Sequence, residues 1–146
     1  MIMNEYAELR QRQQAEFNAL PLGFAFSRKQ FDEMMEGWGL DTEKDLDKIL
    51  RVPGGGYVQK KDAGLLSQTA ERHDAEMTAA IAGDATGEGF IYQMFLYELD
   101  NNEYGYTRDT EDTLEALGYT AEEVLGDPRL KRGIEKAVTE ICRREG

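Results

Sequence analysis

The sequence predicts one α+β domain over residues 1–146, mainly helical, with a small antiparallel β-hairpin or sheet. Three observations carry that prediction. Residues 90–99, FIYQMFLYEL, are apolar at eight of ten positions and so on nearly every side, as a central helix wrapped by others is. Two β-prone runs, Ile49 to Val52 and Tyr57 to Lys60, bracket Pro53-Gly54-Gly55-Gly56 in the manner of a hairpin. Elsewhere apolar residues recur at helical spacing behind residues suited to capping. A chain of 146 residues can bury about 68–70% of its unfolded surface without staples.

In chain order, Tyr6, Leu9, Phe17 and Leu20 lie at helical spacing behind Asn4, and Pro21 with Gly23 ends that helix. Phe24 and Phe26 alternate with small residues, as in a short strand that would join the hairpin. Ser27 followed by Gln30 has the pattern of a capping box for a second helix, reaching about Trp38. Residues 42–48 are charged and read as helical. Asp62 is placed to cap a helix with the stripe Leu66, Ala70, His73, Met77 and Ile81, which the polar interval Gly83 to Gly89 breaks. After the central helix, Asp109 opens a short helix ending at Gly118, and Thr120 with Glu123 forms another capping box. The last helix opens on Asp127 and Pro128 and buries Leu130, Ile134, Val138 and Ile141. There is no internal repeat and no linker.

Composition narrows the functional classes. The lone Cys142 has no disulfide partner in the chain, which suits a reducing interior. No run approaches a membrane span, and the start, MIMNEYAEL, lacks the basic and apolar regions of a signal peptide. A cytoplasmic location is the expectation. The net charge of -12 disfavours direct binding to nucleic-acid phosphates and favours basic partners. That charge is local. Between Asp84 and Asp127 stand twelve acids (Asp84, Glu88, Glu98, Asp100, Glu103, Asp109, Glu111, Asp112, Glu115, Glu122, Glu123, Asp127) against one base, Arg108. The densest aromatic run, from Phe90 and Tyr92 to Tyr106 and Tyr119, coincides with it.

Several motifs touch on chemistry without reaching it. Residues 100–111, DNNEYGYTRDTE, place Asp100, Asn102, Gly105 and Glu111 where a calcium loop has its first and third ligands, its glycine and its bidentate glutamate. Tyr104 replaces the third ligand and Arg108 sets a positive charge in the loop, so a capped turn between helices is the better reading. Gly54 to Gly56 followed by Lys60 and Lys61 suggests an anion cradle, yet lacks the Gly-Lys-Ser/Thr of a phosphate loop and reads as a hairpin turn. His73 lies on an apolar stripe with no companion ligands, as a partly buried structural histidine would. Ser27 and Ser67 have no nucleophile context, and Cys142 beside Ile141 reads as packing. No catalytic residue, metal site or cofactor is assigned.

The segments Phe26-Ser27-x-x-Gln30-Phe31, the triple glycine and, above all, Tyr97-Glu98-Leu99-x-Asn101-x-Glu103-Tyr104-Gly105-Tyr106-Thr107-x-Asp109-Thr110-x-Asp112-Thr113-Leu114 resemble a family of small uncharacterised proteins of bacteriophages, prophages and gut metagenomes. The resemblance runs from about Leu20 to the final helix. It implies no catalytic residues. It supplies a setting, since compact acidic phage proteins are often accessory factors that disable host machinery.

The expected function is therefore non-enzymatic binding of a host protein, one that handles nucleic acid in an anti-defence setting, through Glu98, Glu103, Tyr104, Tyr106, Asp109, Asp112, Glu115 and Tyr119. Closely spaced carboxylates would imitate phosphates, and tyrosines would anchor the contact. One alternative is a ligand-binding protein or small enzyme with Glu98, Asn101, Glu103 and Tyr106 lining a pocket near the glycine hairpin; another is an assembly factor that oligomerises through its terminal helices. The sequence leaves the oligomeric state open.

Overall fold

A computed structural model describes residues 4–145. These fall into two compact units, one formed by the chain up to Arg12 together with Ala75 onward, the other by Gln13–Asp74. The fold is α+β and mostly helical, with one small antiparallel sheet. Among the described residues no helix is long and apolar enough to cross a membrane.

The 13–74 unit contains the sheet. Strands β1 (Leu22–Phe24), β2 (Ile49–Val52) and β3 (Gly56–Gln59) pair antiparallel in the order β1-β3-β2, with Leu22 and Leu50 both opposite Val58. The hairpin between β2 and β3 turns on Gly54 and Gly55, both at positive φ, where a side chain would be strained. The helix α2 (Arg28–Gly37) begins at Ser27, whose Oγ accepts from the Gln30 N–H at 3.2 Å, while Gln30 Oε1 accepts from the Phe26 N–H at 2.8 Å. It lies on the sheet face that carries Gly23 and Tyr57: the Phe31 and Tyr57 rings meet edge to face at 5.4 Å, and a Cβ on Gly23 would collide with Met34. The first strand is Leu22–Phe24 rather than 24–26, because the register opposite Gly56 ends at Phe24. Residues 42–48 form only a 3-10 turn at Leu46–Lys48. Asp41 caps a first turn, its Oδ1 accepting from the N–H groups of Glu43 and Lys44, each at 2.8 Å, but the turn closes on Asp45, whose Oδ2 accepts from the Asp41 N–H at 2.7 Å, and does not continue as a helix.

The larger core belongs to the other unit. Helix α1 (Glu5–Asn18) is capped by Asn4, whose Oδ1 accepts from the Ala7 N–H at 2.9 Å, and contributes Tyr6 and Leu9 to the core from its first turns. The helix α3 (Ala63–Ala82) follows a 3-10 turn at Lys60–Asp62 that starts after Gln59, so Asp62 lies inside the turn and caps nothing. The expected hub is α4 (Phe90–Asn101), with Ile91, Met94, Phe95 and Leu99 fully buried. Around it pack the short helices α5 (Tyr104–Thr107), α6 (Glu111–Leu117) and α7 (Ala121–Gly126), and the long α8 (Pro128–Glu145), which buries Leu130, Gly133, Ala137 and Ile141. Gly133 lets α8 come close to α4 and the turn before it: a Cβ there would lie 2.6 Å from Ile91 Cγ2 and 2.8 Å from the Gly87 carbonyl.

Asp84 builds the connection from α3 to α4. Its carboxylate accepts from four backbone N–H groups, those of Thr86 (3.2 Å), Gly87 (2.9 Å), Gly89 (3.0 Å) and Ile91 (2.9 Å). Arg129 closes the same turn, donating Nη1 to the carbonyls of Ile81 and Asp84 at 3.1 and 2.9 Å. Gly87 sits between them at positive φ, where a Cβ would strike the Arg129 carbonyl.

Candidate functional site

The structure divides the twelve acids of the 84–127 segment into those that hold the fold and those that do not. Asp84 is the four-donor anchor just described. Glu123 completes the capping box of α7, its Oε1 accepting from the Thr120 N–H at 3.2 Å. Asp127 accepts from the Arg129 N–H at 2.9 Å, at the start of α8. Asp100 pairs with Arg144 at 3.1 Å. Glu98 is buried, with 2% of its surface exposed; its Oε2 lies 3.4 Å from Arg10 Nη1, and its Oε1 has no hydrogen-bond partner among the described residues. The remaining acids, Glu88, Glu103, Asp109, Glu111, Asp112, Glu115 and Glu122, are exposed and make no ion pair among the described residues. Five of these seven fall within residues 103–115.

That stretch opens on a tightly hydrogen-bonded turn and continues into α6. Glu103 and Arg108, both non-glycine, take left-handed backbone conformations (φ 59° and 61°) and bracket the single helical turn of α5. Such residues are uncommon and held only where the surroundings demand it. The Glu103 carbonyl accepts from the N–H groups of Tyr106 and Thr107 at 2.9 and 3.0 Å, and the Tyr104 carbonyl from that of Arg108 at 2.8 Å. Tyr104 points inward and is 8% exposed; Tyr106, two residues on, points outward and is 90% exposed. Gly105 backs onto α8, where a Cβ would lie 2.8 Å from Glu145 Oε1. Arg108, the one base of the segment, turns back over the Tyr104 ring (5.7 Å to its centre) and donates Nη1 to Cys142 Sγ at 3.1 Å. The contact lies at the surface and orients the guanidinium without neutralising its charge.

The next acids stand on α6. Asp109 Oδ1 accepts from the Glu111 N–H at 2.9 Å, while Thr110 holds the cap position without a side-chain bond. Glu111 and Asp112 in the first turn suit the helix dipole. Glu115 does not: it lies in the last turn, where the dipole disfavours a negative charge, and four residues after Glu111, a repulsive spacing. The buried hydroxyl of Thr113 donates to the Glu98 carbonyl at 3.3 Å and ties α6 to α4.

Of the eight residues predicted to form the contact surface, the structure therefore presents Glu103, Tyr106, Asp109, Asp112 and Glu115. It removes Glu98 and Tyr104, which are core residues. Tyr119 is half-buried with its ring tilted against Phe95 at 6.3 Å; burial, reinforced by Asp127 and Glu123 nearby, pushes its hydroxyl above the ordinary value. Glu111 belongs to the surface and was missed, although its place between Asp109 and Asp112 was signal enough. Glu98, Asn101, Glu103 and Tyr106 do not share a pocket: Asn101 borders a cleft of about 340 Å³ with Asn4, Leu96, Tyr97 and Asp100, whereas Glu98 is enclosed and Tyr106 stands in solvent.

The other motifs resolve structurally. Residues 100–111 form the last turn of α4, the turn of α5 and the start of α6, so Asp100 faces Arg144 and no calcium loop exists. Among the described residues no group of three or more His, Cys, Asp or Glu is placed to hold a metal ion. His73 is mostly buried, its Nε2 3.2 Å from Glu16 Oε2, a carboxylate that also pairs with Arg72. Cys142 is exposed rather than packed, because it falls just off the stripe that buries Ile141.

Residues 5–140 match a family of unknown function, DUF7659. The chain belongs to this family. No curated protein and no solved structure matches it. The DUF7659 match covers both units and every residue of the acidic turn.

Proposed function

We propose that this DUF7659 protein is a non-enzymatic accessory factor that binds a basic surface on a host protein, one that ordinarily accepts nucleic-acid phosphates. The resemblance to phage and prophage proteins supplies the setting of an anti-defence factor acting on an enzyme such as a CRISPR effector or a restriction enzyme. The observation that carries the reading is Tyr106, 90% exposed on a turn held by two left-handed residues and surrounded in sequence by five exposed acids that make no ion pair among the described residues. A tyrosine set rigidly in solvent costs the fold apolar burial, and it supplies contact area at low entropic cost when a partner covers it. The uncompensated acids act at longer range, steering a basic partner as duplex phosphates do, at about one charge per 1.7 Å of axis. Glu115 supports the reading, since its position opposes the helix that carries it.

The test is capture of host proteins on the immobilised chain at ~50 mM and ~500 mM salt. The partner is expected to be retained only at low salt, to be released by an added DNA or RNA duplex, and to be lost when Tyr106→Ala is combined with Asp109→Asn, Asp112→Asn and Glu115→Gln. A partner held equally at both salts, indifferent to duplex and retained by the combined variant would refute the proposal.

A further inference from the structure

We propose that the 13–74 unit binds inorganic phosphate, as an oxyanion that still carries a proton, in a small cavity at the open end of the β2–β3 hairpin. The cavity has a volume of about 210 Å³ and is lined by Asp47, Lys48, Gln59, Lys60 and Lys61; it shares no residue with the acidic turn. Ile49 pairs with Gln59, which sets Lys48 and Lys60 just beyond the last paired residues, at the end of the hairpin away from Gly54 and Gly55. The lysines that follow the glycines in sequence thus converge with Lys48 rather than with the glycine turn. Lys48 also pairs with Asp45 at 3.1 Å. Lys60 and Lys61 are exposed and make no ion pair among the described residues, in a chain with 29 acids and 17 bases. They stand in the turn that leads into α3, a helix end where cations are disfavoured.

Size and chemistry select the ligand. The cavity is small beside the roughly 300–1,000 Å³ of sites for drug-sized molecules, which suits a small ion. Asp47, which makes no ion pair among the described residues, decides which ion. An ionised carboxylate accepts hydrogen bonds and donates none. Beside three ammonium groups it therefore repels an oxyanion with no proton to offer, such as sulfate, a carboxylate or the phosphodiester of a nucleic acid. Hydrogen phosphate keeps one P–O–H at neutral pH. It donates that hydrogen bond to Asp47 and accepts on its other oxygens from the lysines and the Gln59 amide. A phosphomonoester loses its last proton at about pH 6, which groups it with sulfate above that pH.

The test follows amide shifts of the full chain at constant ionic strength and about pH 7.5 as potassium phosphate, potassium sulfate or glycerol phosphate is added. Phosphate is expected to move the amides of Asp47, Lys48, Gln59, Lys60 and Lys61 and to bind about tenfold more tightly than either of the others. Lys60→Gln combined with Lys61→Gln, both exposed positions, should abolish that binding and leave Tm unchanged. Asp47→Asn should erase the preference by strengthening sulfate binding, because the amide donates to an oxyanion and the repulsion is gone. Equal binding of phosphate and sulfate by the wild-type chain would mean that the lysines merely gather anions, and would overturn the proposal. Phosphate shifts that miss these five amides, or a preference that survives Asp47→Asn, would overturn it as well.

Discussion

Removing the Asp84 carboxylate tests the framework on which the acidic turn is mounted. In Asp84→Ala four backbone N–H groups lose their acceptor at once. Those of Thr86 and Gly89 are exposed and exchange protein for water at little cost, whereas those of Gly87 and Ile91 are partly buried. An unsatisfied buried donor costs about 1–3 kcal/mol, and loss of a capping side chain about 0.5–2 kcal/mol. The variant should therefore lose about 3–5 kcal/mol, and for a chain of this size each kcal/mol lowers Tm by about 2–4 °C. A drop of about 10–15 °C is expected by circular dichroism or calorimetry. Asp84→Asn keeps one acceptor oxygen and should fall between. Burial pushes this carboxyl up, but the donors of Ile91, Gly87, Gly89 and Thr86 outweigh it and hold it below the ordinary 3.8. A depressed folded value means that the contribution is complete above the unfolded value and disappears as pH falls through the folded one. The gap between wild type and Asp84→Ala should thus be constant at neutral pH and narrow as pH falls below the ordinary 3.8, without closing, because the protonated carboxyl keeps an acceptor oxygen as Asp84→Asn does. A drop of less than about 3 °C at neutral pH, or a gap of the same size in acid as at neutral pH, would refute the reasoning.

Three further outcomes follow from the packing. Glu98→Met should leave Tm unchanged or raise it, because a buried carboxylate with one orphan oxygen is replaced by apolar volume and the Arg10 left behind, 3.4 Å away, is half exposed and stays hydrated; a lower Tm would contradict this. Gly133→Ala should cost about 1–3 kcal/mol in a thermal melt, since the added methyl meets Ile91 and the Gly87 carbonyl. Arg72 first, then His73, holds the Glu16 carboxyl down at about 2; its side-chain resonance in an NMR titration should move near pH 2 in wild type and at higher pH in Arg72→Ala, still short of the ordinary 4.5 because His73 stays, and the stability it contributes should vanish as pH falls through about 2.

Local chemistry was the legible part of the fold. The caps at Asn4, Ser27, Thr120 and Asp127 join a side chain to a backbone group within about three residues, so spacing alone reveals them. The hairpin and the central helix were legible for the same reason, one from its glycines and the other from its apolar run. Asp84 was not, because its reach to Ile91 depends on a loop path that no short pattern encodes. Residues 42–48 misread as helix because Asp41 caps a first turn that closes on Asp45 and goes no further. Glu98 is the instructive error in the candidate site. Ile91, Met94, Phe95, Glu98 and Leu99 follow the spacing of one buried stripe; the acid at 98 was read by its charge when its position already placed it inside. Tyr104 and Tyr106 have the same composition around them, and only the left-handed residues at 103 and 108 decide which points inward.

The central claim is that the exposed acids around Tyr106, which make no ion pair among the described residues, bind a basic partner. Its most direct measurement is the salt dependence of affinity for the captured partner, compared between wild type and the Asp109→Asn, Asp112→Asn, Glu115→Gln variant. Log affinity should fall steeply with log salt in wild type, and in the variant both the low-salt affinity and the slope should drop. Parallel lines of equal affinity would contradict the account, because the carboxylates would then take no part in binding.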